Sequence, residues 1–296
     1  MDLNYSTVQP VELDGVPRPR PRLKDVYSLY GSQFRRWFFI TAPTSLVASV
    51  VLLMVDQRIR AIYSGIPFLE IRYHWGEIAE SYVLRFAGFF VSWFLGCFTL
   101  AAIATVVNGL DGDDGGESWR SDSYQRAREH FGSLFLVALL TFVAFLAGMA
   151  AEEFVQFAAI RVVGWARFSR FSLGASLVGY VVVASVVSWL GMAIPLILTR
   201  EVGAWRALKR SVKLSNGYEG FLFLLVLESM AGTYVAWYAV HYGLPLLFPV
   251  QLRYAAWYGW FVYFVSILAS AAVQPPMFIG FALLAGGKRE PASSPP

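Results

Sequence analysis

The chain is poor in charge, poor in histidine and almost free of cysteine. Asp, Glu, Lys and Arg make up 15% of its 296 residues, against about a quarter in soluble domains. So little charge cannot clothe a soluble surface. With 57% of residues apolar and a mean hydropathy of +0.53, too much apolar surface would lie outside a soluble core. A soluble enzyme, a disordered chain and a disulfide scaffold are therefore excluded. The single cysteine, Cys97, rules out an intrachain disulfide. Of the three histidines, His74, His130 and His241, only His241 lies near the depth of Glu152-Glu153, so the spans cannot assemble a two-histidine metal site on that side. HExxH and GxSxG patterns are missing. No catalytic residue, metal or cofactor is expected. The basic residues are scattered rather than gathered on an aromatic platform, which argues against nucleic acid as a partner.

Long apolar runs are what the chain has in abundance. A helix crossing the roughly 30 Å hydrocarbon layer needs about 20 mostly apolar residues. Six segments qualify: Phe38–Val55, Phe86–Val107, Phe131–Ala151, Leu173–Thr199, Phe221–Tyr242 and Tyr254–Ala285. They predict an all-α polytopic membrane bundle over residues 23–285, with disordered cytoplasmic tails at 1–22 and 286–296. No short basic region with a small-residue cleavage site precedes the first run, so that span is expected to serve as its own signal and anchor. Pro275-Pro276 interrupts the sixth segment and removes two amide donors, which predicts a bend or break there. Of the 24 Lys and Arg, 16 fall on the side shared by the termini and the second and fourth loops, and 8 on the other. This bias predicts both termini in the cytoplasm, and the inner, cytoplasmic membrane of a cell is the expected location.

Each odd-numbered span follows a short amphipathic stretch. In the first, Leu23, Val26, Tyr27, Tyr30, Phe34 and Trp37 share one helical face. In the second, Tyr124, Ala127 and Phe131 do so. In the third, Trp205, Leu208 and Val212 form the apolar stripe, while Arg206, Lys209, Arg210 and Lys213 are candidates for contact with lipid headgroups. Such helices lie in the membrane interface with their cationic side chains reaching outward. The unit recurs about every 85–96 residues, the spacing expected of three pseudo-repeated hairpins.

The stretch Ala193–Gly217, AIPLILTREVGAWRALKRSVKLSNG, carries a recognisable order: Pro195, Glu201, Ala207, Leu208, Arg210, Ser211, Leu214 and Gly217. In this it resembles the six-helix membrane domains of glycerophosphoryl diester phosphodiesterases and their bacterial relatives. The resemblance implies six spans with interfacial helices. It does not bring the activity, because the chain lacks the His-Arg-Gly and Glu-x-Asn signatures and has no room for the catalytic barrel.

Several other patterns have simple structural explanations. Asp111, Asp113 and Gly116 stand at calcium-loop spacing, but position 5 is glycine and position 12 is Asp122 rather than glutamate. That loop reads as solvated Asp/Gly-rich chain. Glu152-Glu153 reads as a marker of the outer interface, since Phe157 stands where a metalloprotease-type pattern needs arginine. The proline-spaced basic segment Arg18–Lys24 is expected to be extended and to lie against anionic lipid. Glu228 differs from these. It sits eight residues into the fifth span, where an ionisable side chain is costly and marks a candidate site. Counted to a similar depth, Thr99, Thr141, Ser188 and Gln274 complete an expected polar layer into which Glu228 points. These features suggest a non-enzymatic scaffold or accessory subunit, with membrane lipids and other membrane subunits as partners. The alternative is a small transporter of lipid or ions working through that layer.

Overall fold

The computed structural model describes residues 22–66, 74–109, 119–163, 179, 181–200, 202–249 and 256–286. Among these residues there is no strand, and six helices are long and apolar enough to cross a membrane. The chain is an all-α integral membrane protein. The two expected tails fall almost wholly outside the described residues.

The first short helix, α1 (Leu23–Ser32), starts where the Arg22 N–H donates to Asp25 Oδ2 at 2.9 Å, a bond that satisfies one of the free amides at a helix start. Of its expected apolar stripe, Val26 is fully buried while Leu23 and Tyr27 stay exposed. The chain turns at Gln33 and enters α2 (Phe34–Ser64), which is followed by α3 (Trp75–Gly109). With 31 and 35 residues, these helices run about 46 and 52 Å, well beyond the hydrocarbon layer. Apolar runs alone ended these segments at Val55 and began them at Phe86. The structure continues both helices through the charged residues between, where facing side chains meet. Arg58 Nη2 meets Glu80 Oε1 at 2.9 Å and the Tyr63 and Ser81 hydroxyls lie 3.0 Å apart.

Two more short helices precede odd-numbered spans, as the amphipathic stretches suggested. The first is α4 (Trp119–Glu129), which leads through His130 into α5 (Phe131–Val163). Its stripe is shifted from expectation: Ser123 and Ala127 are buried, while Phe131 is exposed. The fourth span consists of α6 (residues 181–190) and α7 (Ala193–Arg200), with a turn at Gly191 and Met192 between them. Pro195 falls in the first turn of α7, where its missing N–H costs little. Helix α8 (Ala204–Ser215) then leads into α9 (Glu219–Tyr238). Gly217 makes that turn with φ 90°, a left-handed conformation available to glycine at little cost. A π turn (Ala239–Gly243) and a 3₁₀ turn (Leu244–Leu247) end the fifth span. In the sixth, α10 (Ala256–Val273) stops at Gln274, and α11 (Pro275–Gly286) starts with the proline pair. The break expected from those prolines is present, and proline at the first helical position is favourable.

Packing divides the chain into two units. The first holds the described residues within 1–33, 100–231 and 276–296, and the second those within 34–99 and 232–275. Within the second, α2 lies along α10, with the Tyr263 hydroxyl donating to the Ser49 carbonyl at 3.1 Å. There α3 meets α2 at Gly88, where an added Cβ would come within 3.1 Å of Val55. Within the first, α5, α7 and α8 pack together. Its glycines also mark close approaches: Gly148 faces Val182, Gly191 faces Phe281 and Gly280 faces Leu225. Membrane helices gain association mainly from such close packing, because lipid is as apolar as the protein interior.

Candidate functional site

The residues of the expected polar layer are distributed between the two units. Thr99 and Gln274 belong to the second, and Thr141, Ser188 and Glu228 to the first. Several bond to their own helices. Thr141 donates toward the carbonyls of Val137 and Ala138 at 2.8 and 3.1 Å, and Ser188 donates to that of Ala184 at 2.6 Å. Thr99 lies 2.9 Å from the Leu95 carbonyl and 2.6 Å from the Thr44 hydroxyl of α2. Thr44 is a cross-helix partner that depth counting missed. Gln274 serves the break itself, its backbone N–H reaching the Ser270 carbonyl at 3.3 Å.

Glu228 does not point inward as expected. The face of α9 that is buried carries Leu222, Leu225, Val226 and Ser229. At 3.6 residues per turn, Glu228 lies about 110° around the helix from the middle of that stripe, and its side chain is exposed. Its hydrogen-bond partner is the Tyr27 hydroxyl of α1. Burial pushes the Tyr27 phenol up from its ordinary pKa, and the bond to the Glu228 carboxyl pushes it further. Tyr27 was legible in the sequence only as part of an apolar stripe. No local pattern shows that its hydroxyl meets the fifth span.

A second polar contact invites a catalytic reading and fails it. Ser266 Oγ lies 3.2 Å from His241 Nδ1, the arrangement of a nucleophile and its base. The same nitrogen lies 3.2 Å from the Trp237 carbonyl. A carbonyl only accepts, so that contact requires Nδ1 to carry the proton. The Ser266 hydroxyl itself donates to the Val262 carbonyl at 2.8 Å. Nδ1 in that form cannot take a proton from Ser266, and the pair ties α10 to the π turn instead.

The third assembly is α8. Its buried face is Ala204, Ala207, Leu208, Ser211, Leu214 and Ser215. Of the predicted apolar stripe only Leu208 belongs to this face, since Trp205 and Val212 are exposed. Small residues let α8 approach closely, and the Ser211 hydroxyl donates to the Trp189 carbonyl at 2.6 Å, one turn before α7 begins. Arg206, Lys209, Arg210 and Lys213 are all exposed, as a headgroup-facing set requires. Lys209 Nζ sits 5.5 Å from the centre of the Trp205 ring, within cation–π range. Of the residues quoted from Ala207 to Gly217, Ala207, Leu208, Ser211 and Leu214 face inward, Arg210 is exposed, and Gly217 makes the turn.

The Asp/Gly-rich loop from Leu110 to Ser118, the side chains of Glu152 and Glu153, and the segment Arg18–Pro21 lie outside the described residues. Compared with known proteins, the chain matches no family model and no curated sequence.

Proposed function

We propose that this membrane protein is a non-enzymatic scaffold or accessory subunit of a lipid-related membrane assembly, seated in the cytoplasmic membrane with both termini cytoplasmic. One observation supports it above the alternative. Thr141 and Ser188 direct their hydroxyls to backbone carbonyls of their own helices, and Thr99 pairs with Thr44. The first two satisfy the hydroxyls within their own helices, and the third joins two membrane helices. A substrate path instead turns polar and ionisable groups toward a cavity near the midplane.

The transporter reading rests on Glu228 being an ionisable residue within an apolar span. Reconstitution separates the two. Purified protein in liposomes is expected to dissipate an imposed proton or sodium gradient no faster than protein-free liposomes do. A gradient-driven flux that Glu228→Gln abolishes, with helicity intact by circular dichroism, would establish the transporter and overturn the scaffold.

The orientation has its own test, motivated by the 16-to-8 division of Lys and Arg. A fluorescent protein fused at the C-terminus is expected to be bright, and alkaline phosphatase fused there to be silent. The opposite pair of results reverses the topology.

A further inference from the structure

We infer that the outward side of α8 is a binding site for the headgroups of anionic phospholipids, centred on Lys209, Lys213 and Arg206 beside Trp205. The inference rests on the chain being an integral membrane protein, and it deepens the lipid-related part of the proposed function.

The helix has three strips. At about 100° per residue, Ala204, Ala207, Ser211 and Ser215 lie on the side fixed to the protein. Val212 and Trp205 form the next strip, and both are exposed, Trp205 at 62%. Lys209, Lys213 and Arg206 follow around the helix, and Arg210 lies farthest from the Trp205 edge. A helix with one edge apolar and aromatic and the adjoining edge cationic matches the boundary between acyl chains and headgroups. Tryptophan settles at that level, and long basic side chains reach from it to phosphate.

Chain connectivity sets the depth. The fourth span ends at Arg200 and α9 begins at Glu219, so only a few residues separate α8 from the ends of two spans. Its cations cannot stand far from the membrane surface. The sequence of α8 contains no acidic residue, which leaves its field uniformly positive. The anchoring is rigid as well, since Ser211 is fully buried and bonded to the Trp189 carbonyl. Little conformational freedom then remains to be lost when a headgroup binds. An acidic protein segment would answer the charge but not the aromatic strip next to it at bilayer level. A lipid answers both.

The test uses the full chain in nanodiscs of phosphatidylcholine alone or of phosphatidylcholine with phosphatidylglycerol. Lipid retained on release is counted by native mass spectrometry. Each basic side chain near an anionic surface adds to the attraction, so wild type should retain phosphatidylglycerol at least about tenfold more than phosphatidylcholine. The triple variant Arg206→Gln, Lys209→Gln, Lys213→Gln should lose that preference. These positions are exposed, so the variant should keep its wild-type helicity. Lys209→Arg with Lys213→Arg should keep the preference, because charge is what is read. Arg126→Gln with Arg128→Gln on α4 should leave most of it in place. Equal retention of both lipids by wild type, or a preference that survives in the triple variant, overturns the site. Binding of poly-glutamate through these cations without any lipid preference also overturns it and assigns the face to a protein partner. The reporter fusions can succeed while the lipid preference is absent, so the two failures are distinguishable.

Discussion

Gly191→Ala should destabilise the protein by about 1–3 kcal/mol, the usual cost of forcing extra carbon into a packed interior. A Cβ at this position would stand 2.7 Å from Phe281 Cζ and 2.7 Å from the Val187 carbonyl oxygen. Neither can withdraw easily. Phe281 is 1% exposed, held inside the protein. The Val187 oxygen is held by the Gly191 N–H at 2.8 Å. Unfolding in mixed micelles with increasing dodecyl sulfate would measure the loss. Adding Phe281→Leu should recover part of it but not all, because the carbonyl contact remains. Gly259→Ala supplies the opposite sign. That glycine lies inside α10 with nothing within 4 Å of its would-be Cβ, so alanine should stabilise by up to about 1 kcal/mol through backbone entropy. Equal effects at the two positions would show that the break in the fourth span is not packed against α11.

Trp37→Ala should cost more, about 3 kcal/mol. The indole is 0% exposed near the start of α2, and deleting a buried Trp in soluble proteins costs about 3–5 kcal/mol. The low end is expected here for a physical reason. When membrane helices separate, the ring meets lipid rather than water, so the loss is mainly dispersion contact and an unfilled cavity. Trp260, 56% exposed on α10, is the matched control. Its alanine variant should fall within about 0.5 kcal/mol of wild type, as surface changes usually do. Similar losses at Trp37 and Trp260 in the same titration would refute the burial assigned to Trp37.

The amino-acid sequence alone determined the membrane class, the six apolar segments and the broken sixth helix. Hydrocarbon imposes its demand on each segment separately, as a run long enough to cross with its backbone bonds satisfied. Pro275 and Pro276 lack their donors whatever surrounds them. The exposed cations of α8 were legible in the same way, from their places on one helix.

Only the tertiary structure decided which faces turn inward. In α8 Trp205 and Val212 lie outside, while Ala204, Ala207, Leu208, Ser211 and Leu214 lie inside. Hydrophobicity gives no direction where the surroundings are as apolar as the core, and close approach decides instead. Glu228 is exposed for the same reason: the stripe from Leu222 to Ser229 packs better, which leaves the acid on the flank beside Tyr27. Where α2 and α3 reach past their apolar runs, Arg58 meets Glu80 and Tyr63 meets Ser81. A run of residues specifies that a helix crosses the membrane. Its rotation comes from contacts that exist only once the helices have met.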